Sequence, residues 1–499
     1  MKMRMYICPR CMRNCSYLKA QIYISPFDKA IDSWIESDNE IRHERADRIL
    51  QIFEKKHLVD MSCYHNVMGA ISAMAVGKKA SKASGLDGVQ LKVMQQYADM
   101  IEQIMRRMER LSFDNAEQKP SVTTYNFCMN AYSMCGDGAR AEKLLSDMRE
   151  RDIEPDINSY NSAIASWARS DHEGSATKAE AILDAMKDHL VEPNDISFTE
   201  VIFAYTRSRD SNSVDKALQL VERMEKNGLS CNEFVYNAVL NSLAKSRQND
   251  NVEKAHTLLE KMIRTDVASN ISFNSVLNCH AKCSDPESGS SAKALLERME
   301  SSHNFKPDVI SYTSVIDALT RSRDWNAPEN ASEILEKMLK LANDGDLSVQ
   351  PNAITYNTVI NTWASSGKPN SAKKAEELLK RMETIYESGE CKKVRPNTIS
   401  YTSVIDAYAR TKSENGAINA ERIFKQMEKK YNGGNDLAKP NVHSFNAGKS
   451  MGFRRMYIVR NASYSFLFPM HALMKLLMHG FKANNQAVHY VQNKYYLRC

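Results

Sequence analysis

Eight polar residues stand at one recurrent place along this 499-residue chain, each directly after an aromatic residue. They are Asn126, Asn161, Thr199, Asn237, Asn274, Thr313, Asn357 and Thr402. A carboxamide both donates and accepts hydrogen bonds, and a hydroxyl does the same in a smaller space. A column of such groups suits recognition of a planar polar edge, of the kind an unpaired base offers through its Watson–Crick donors and acceptors. The same residue types favour helix starts, where they cap free backbone N–H groups, and that reading stands beside the first.

The elements that must position this column are legible around it. Each member closes a phrase Ser/Thr-aromatic-Asn/Thr, with Val once in the first place. The aromatics are Tyr125, Tyr160, Phe198, Tyr236, Phe273, Tyr312, Tyr356, Tyr401 and Phe445, spaced by 35, 38, 38, 37, 39, 44, 45 and 44 residues. Most phrases follow a breaker such as Pro155-Asp156, Pro193-Asn194 or Pro307-Asp308. Downstream lies Ala-x-x-apolar-apolar-x-x-Met, first as Ala141, Leu144, Leu145 and Met148 and last as Ala420, Ile423, Phe424 and Met427. Those offsets place the four residues on one stripe of an α-helix. The segment after each aromatic is also helical by period, as in Tyr160, Ala163, Ile164 and Trp167. Trp34, Trp167, Trp363, Tyr132, Tyr205 and Tyr408 share the place seven residues after the start and read as packing anchors.

One such helix pair cannot bury its apolar face alone, whereas stacked pairs can. The fold class expected is therefore all-α, a right-handed α-solenoid of stacked helix-turn-helix repeats. Residues 1–23 form a basic N-terminal segment, 24–121 two divergent helical-hairpin repeats, 122–441 eight regular repeats, and 442–499 a degenerate repeat start with a basic tail. A polar stretch around 77–88 reads as a loop between the helices of the Tyr64 repeat. The extra residues of the longer repeats, as at 283–291 and 341–349, are expected in the turns, leaving the helices unchanged.

Charge sharpens the division. The chain carries +6 overall, but residues 1–27 hold +5 and residues 442–499 hold +8, both without an acid, around a middle of −7. Any nucleic-acid partner is thus to be met by specific side chains in the array, not by bulk charge. The odd count of 11 Cys, scattered through the chain, does not read as a disulfide framework.

The tetratricopeptide signature needs small residues at set places of the first helix, and no regular Gly appears there. The Ser/Thr-Tyr-Asn/Thr opening, the Ala-x-x-Leu-Leu-x-x-Met second helix and the Pro-Asp/Asn close resemble the pentatricopeptide repeat family, P-type repeats. That resemblance implies single-stranded RNA as partner, one base per repeat, read by the residue after the first aromatic and the last residue of the repeat. Carried onto this chain, Asn126 pairs with Asp156, Asn161 with Asn194, Thr199 with Asn232, and Asn237 with Ser269. Asn274 pairs with Asp308, Thr313 with Asn352, Asn357 with Asn397, and Thr402 with Asn441. The combinations imply a target resembling UCACUACA, 5′ to 3′. The residue two before the aromatic is apolar at Ile196, Phe234, Ile271, Ile310, Ile354 and Ile399, the place at which the family clamps bases; Thr123 and Asn158 depart from it. His65 with Ser121, and Asp28 with Asp60, fit no combination.

No catalytic residue, metal or cofactor is expected, and neither a membrane nor a small-molecule substrate. The acid-free tail has no ligands for two-metal chemistry. Cys8, Cys11 and Cys15 lack a second pair at zinc spacing, and Cys279, His280 and Cys283 read as packing. The expected role is a non-catalytic adaptor in organellar RNA stability, processing or translation, with protein partners in an RNA-processing complex. Scaffolding of proteins, or the RNA-binding part of a nuclease assembly, are the alternatives. The acid-free, Arg-containing start predicts mitochondrial import, with the plastid as alternative.

Overall fold

The computed structural model describes residues 42–55, 61–79, 88–111 and 119–444, apart from 247, 249, 284 and 323. The N-terminal segment, Cys8, Cys11 and Cys15, Asp28, Trp34, Asp60 and the tail from residue 445 lie outside the described residues. The described residues are helices, turns and short 3₁₀ segments, with no strand among them. The chain divides into two compact units, Met1–Ser246 with Glu260–Val267, and Arg247–Leu259 with Ala268–Cys499. The division falls inside the helix Asn251–Arg264.

Each unit is a two-layered α-solenoid. In the first, the first helices Val122–Cys135, Ile157–Ala168, Asp195–Arg207 and Glu233–Ser246 pack side by side. The second helices Gly138–Glu150, Ser175–Asp188 and Ser213–Lys226 each lean on the first helix of their own repeat and of the next. In the second unit Asn270–Lys282, Val309–Arg321, Ala353–Ser365 and Thr398–Arg410 form the first layer. Ser288–Ser301, Ala327–Asn343, Ser371–Glu387 and Glu414–Asn432 form the other. The Ala-x-x-apolar-apolar-x-x-Met stripe faces inward throughout, buried at every place except the half-buried Leu378. Each fully buried Leu, Ile or Met of that stripe contributes ~1.5–3 kcal/mol through burial.

The divergent upstream helices follow the same logic: Met61–Lys79 buries Tyr64, Val67, Met68 and Ile71, and Gly88–Leu111 buries Ile101, Ile104, Met105 and Met108. The first of these continues through Gly77, so the connection expected at 77–88 is shorter than its composition suggests. Gly138 opens a second helix beneath Trp167, where a Cβ would come within 2.2 Å of the indole.

The aromatic anchors do more than fill space. Tyr312 donates its hydroxyl to Glu300 at 2.9 Å, and Lys337 of the next second helix meets the same carboxylate at 2.6 Å. Tyr125 with Glu109 and Arg151 repeats this, as do Tyr236 with Glu225 and Lys261, and Tyr401 with Glu383 and Gln426. The place seven residues on does the same, Tyr205 through Glu180 to Lys216 and Tyr408 through Glu376 to Arg422. Each stitch thus joins a first helix to two successive second helices. Tyr160, Tyr356 and Trp167 lack the polar half of it, their hydroxyls and Nε1 having no hydrogen-bond partner among the described residues.

The 44- and 45-residue repeats correct one expectation. Their additional residues do not stay in the turns: the second helices Ala327–Asn343 and Ser371–Glu387 reach 17 residues and Glu414–Asn432 reaches 19, against 14 in Ser288–Ser301. Each is followed by a 3₁₀ turn, Leu347–Val349, Lys392–Val394 or Asp436–Ala438, which buries Val349, Val394 or Ala438. The insertion therefore carries its own apolar plug.

Glu376 tests the stitch most directly. Burial alone would raise its carboxyl, but bonds from Lys380, Tyr408 and Arg422 overcome that and hold it at about 2, against an ordinary 4.5. A depressed folded pKa contributes stability in full above pH 4.5, and that contribution is lost as pH falls toward 2. Glu376→Gln is expected to destabilise the folded chain by ~2 kcal/mol at neutral pH. It is also expected to flatten the acid limb of the stability profile, as read by thermal melts over pH 2.5 to 7.

Candidate nucleic-acid interface

The residue that closes each repeat also opens the next. Asp156, Asn194, Ser269, Asp308, Asn352 and Asn397 are the N-caps of the first helices they precede, in extended backbone. Their side-chain oxygens accept from backbone N–H groups, as from Ser159 to Asp156 at 2.8 Å and from Ser311 to Asp308 at 2.9 Å. Asn232 and Asn441 do the same for Val235 and Ser444, at 3.0 and 2.8 Å. Capping therefore accounts for the whole of this column, and the helix-start reading applies to it in full. A cap leaves part of its chemistry open. Since a backbone N–H only donates, the bound atom of Asn194, Asn352 and Asn397 must be Oδ1, and Nδ2 of each makes no hydrogen bond among the described residues.

The column after the aromatics lies half-buried beside these caps, with Asn237 and Asn357 buried. Asn126 donates from Nδ2 to Asp156 at 3.0 Å, Asn161 to Asn194 at 3.3 Å, Asn274 to Asp308 at 3.3 Å, and Asn357 to Asn397 at 3.1 Å. Four of the paired calls are thus brought into direct contact. The last spans a 45-residue repeat and has the same geometry as the first, so the insertions leave the register of the column intact. The pairs Thr199–Asn232, Thr313–Asn352 and Thr402–Asn441 are not joined by a hydrogen bond. Instead Thr313 and Thr402 give their protons to the carbonyls of Val309 and Thr398, at 2.6 and 2.7 Å. Asn237 and Ser269 fall in different units; within its own, Asn237 donates to Glu233 at 3.1 Å.

The Asp156 carboxyl is held below its ordinary pKa. Burial would raise its pKa, but the Ser159 N–H and the Asn126, Ser159 and Asn158 side chains outweigh that and lower it.

The apolar column is the least expected feature on energetic grounds. Ile196, Phe234, Ile271, Ile310, Ile354 and Ile399 all stand 53–70% exposed, in the first turn of their helices and two residues from the cap. Thr123 and Asn158 occupy that place in the two repeats before them. In the first unit Phe234 also meets Phe203 edge-on, at 5.1 Å between ring centroids.

One group of residues lay in plain view in the repeated phrase without its role being read. The Ser or Thr before each aromatic is the third residue of its helix and completes the capping box. Ser159, Ser197, Ser311 and Ser400 also donate backward to Oδ1 of Asn126, Asn161, Asn274 and Asn357, each at 2.6 Å.

Cys279, His280 and Cys283 are buried, as packing residues should be. His280 does find a polar partner, His256 Nε2, at 2.8 Å. Burial first, then His256, lowers the His280 pKa to about 4. Among the described residues no group of three or more His, Cys, Asp or Glu is placed to hold a metal ion. No described helix is long and apolar enough to cross a membrane.

This geometry defines a helical-repeat protein with a periodic polar and apolar face. Three repeat-family models match it: the PPR repeat family at residues 120–169, the pentacotripeptide-repeat region of PRORP at 203–344, and the pentatricopeptide repeat domain at 384–447. The chain belongs to the pentatricopeptide repeat family. Among solved structures it is similar to the pentatricopeptide repeat protein PPR10 from maize, with 20% identity over 91% of this chain and 74% of that one and a TM-score of 0.37. It is also similar to PPR10 in complex with an 18-nt psaJ RNA element, at 18% identity and a TM-score of 0.35; 83% of this chain is covered, and it spans 61% of that chain. The PPR domain of Arabidopsis thaliana protein-only RNase P 1 in complex with tRNA matches 34% of this chain and 84% of its own, at 16% identity and a TM-score of 0.29. No curated protein matches significantly.

The cap assignment is checked by Asn397→Ala, which should cost ~1 kcal/mol, while Asn397→Asp should keep the helix start. Hydrogen exchange at the Ile399 and Ser400 amides reads the difference: accelerated in the first variant, unchanged in the second.

Proposed function

We propose that the protein binds single-stranded RNA in a base-specific manner and acts as a non-catalytic adaptor in the stability, processing or translation of organellar transcripts, in mitochondria. The observation that carries this reading is the exposed apolar column. Six large side chains held in water at one helical place cost free energy unless something flat and apolar covers them. They stand beside a second column that offers hydrogen-bond donors and acceptors. Stacked, splayed-out bases present those two requirements together.

The open atoms suit the bases implied. An Asn cap offers only Nδ2 outward, a donor, which fits N1 of adenine or N3 of cytosine. An Asp cap offers its second oxygen, an acceptor, which fits the N3–H of uracil. Thr313 and Thr402, with their protons committed to backbone carbonyls, accept and so fit the amino group of adenine. Asn126, Asn161, Asn274 and Asn357 reach farther and suit the smaller pyrimidines. The first unit would then read UCA and the second UACA, with the base of Asn237–Ser269 between them in the chain order.

At ~1 kcal/mol per base, eight repeats give ~8 kcal/mol, about micromolar affinity. A model for the repeat region of PRORP favours a second reading, the RNA-binding part of a nuclease assembly. RNA cleavage activity co-purifying with the chain would support that one.

The full-length chain should bind an RNA containing UCACUACA at least tenfold tighter than a scrambled strand, measured by titration at fixed salt. Asn161→Thr should move preference at the second base from C toward A, and Asp156→Asn should move the first from U toward C. Equal affinity for all strands, with no change in either variant, overturns the reading.

A further inference from the structure

We propose that the hydroxyl at the third position of each first helix is a positioning residue for the base preference of the repeat before it, so that one base is read by two repeats acting together. This rests on the base-reading function above.

The geometry recurs. Ser159, Ser197, Ser311 and Ser400 are fully buried. Each accepts from the backbone N–H of its own cap, Asp156, Asn194, Asp308 and Asn397, at 3.0–3.2 Å. That contact occupies a lone pair and leaves the single hydroxyl proton free to point elsewhere. Its nearest acceptor lies across the repeat boundary, Oδ1 of the reading Asn at 2.6 Å in all four cases, against 3.0–3.2 Å to the side-chain oxygen of its own cap. Nδ2 of the same Asn goes to the cap oxygen. The carboxamide is therefore held at both ends, with one N–H and one oxygen lone pair left in fixed directions for a base. Held by the cap alone, it could swing about that single bond and present its acceptor over a wide arc.

The reach backward does not depend on Asn. Thr355 stands at the same place and meets the Thr313 hydroxyl at 2.9 Å. Because Thr313 has given its proton to the Val309 carbonyl, Thr355 is the donor. Upstream, Thr124 meets His65 Nε2 at 2.9 Å. Two places depart from it: Ser444 gives its proton to the carbonyl of its own cap, Asn441, at 2.8 Å, and Val235 is buried where a hydroxyl would sit, while Thr199 before it makes no hydrogen bond among the described residues. The bases read by Thr199 and Thr402 are accordingly the least sharply selected.

The test uses the full chain and RNA pools randomised at one base at a time. Ser197→Ala should reduce the preference for C at the second base three- to tenfold, about one hydrogen bond, with the other positions unchanged. Ser197→Thr should restore it. Val235→Thr, close in shape, should sharpen selection at the third base, a gain that loss of folding cannot imitate. Ser400→Ala repeats the loss at the seventh base and serves if Ser197→Ala does not fold. A wild-type preference that the Ala variants keep overturns this proposal alone, as does a loss spread evenly over all bases or one that Thr does not restore. A wild-type chain with no base preference overturns it together with the function it rests on.

Discussion

Everything in this molecule hangs on how a first helix begins. Four N–H groups at a helix start have no partner within the helix, and here the first helices of each unit lie side by side with their starts along one edge. Asx or Ser caps at each of the eight junctions satisfy one or two of those groups, and Pro before most of them ends the preceding segment. The cap does not act alone. At four junctions it closes, with the third-position hydroxyl of its own helix and the Asn of the preceding repeat, a small ring of hydrogen bonds that joins neighbouring repeats. The edge that any ligand would meet is therefore also a structural seam. Its polar residues answer to folding and, under the proposed function, to recognition as well.

The opposite layer is built on different terms. There, Tyr hydroxyls reach carboxylates that are already engaged by Lys, Arg or Gln of the next second helix. A partly buried carboxylate shared between a phenol and a cation keeps its charge compensated, which a bare ion pair at a surface would do only weakly. This layer also absorbs length. The longest repeats extend their second helix and add a plugged 3₁₀ turn, while the caps that follow keep their geometry. Variation is taken up on one side and regularity preserved on the other.

Much of this was legible in the residues. The 0, 3, 4, 7 offsets located the buried stripe because helix period and burial are the same physical fact seen twice. The Ile and Phe column was likewise visible as an apolar residue recurring two places before the aromatic, although its exposure was not. What the spacing could not reveal was partnership across repeats. Nothing in a string places Ser159 against Asn126, or Glu300 between Tyr312 and Lys337, since these contacts form only once the helices are stacked. For the same reason the Asx column read as recognition or as capping, whereas in three dimensions each residue caps with one atom and leaves another open. The lengthened second helices were missed because the added residues are polar and Gly-containing, a composition that signals turns.

The caps carry a consequence for how such a chain changes over time. Asp308 and Asn397 hold their helices through the same oxygen in the same extended backbone. They differ in one atom, which takes no part in that hold. A single nucleotide exchange between Asp and Asn codons therefore replaces an outward acceptor with an outward donor and leaves the helix start undisturbed. Drift along this path is close to neutral for folding and decisive for what the surface complements. If the caps read bases as proposed, a lineage of such proteins can acquire new partners one letter at a time without passing through an unstable intermediate.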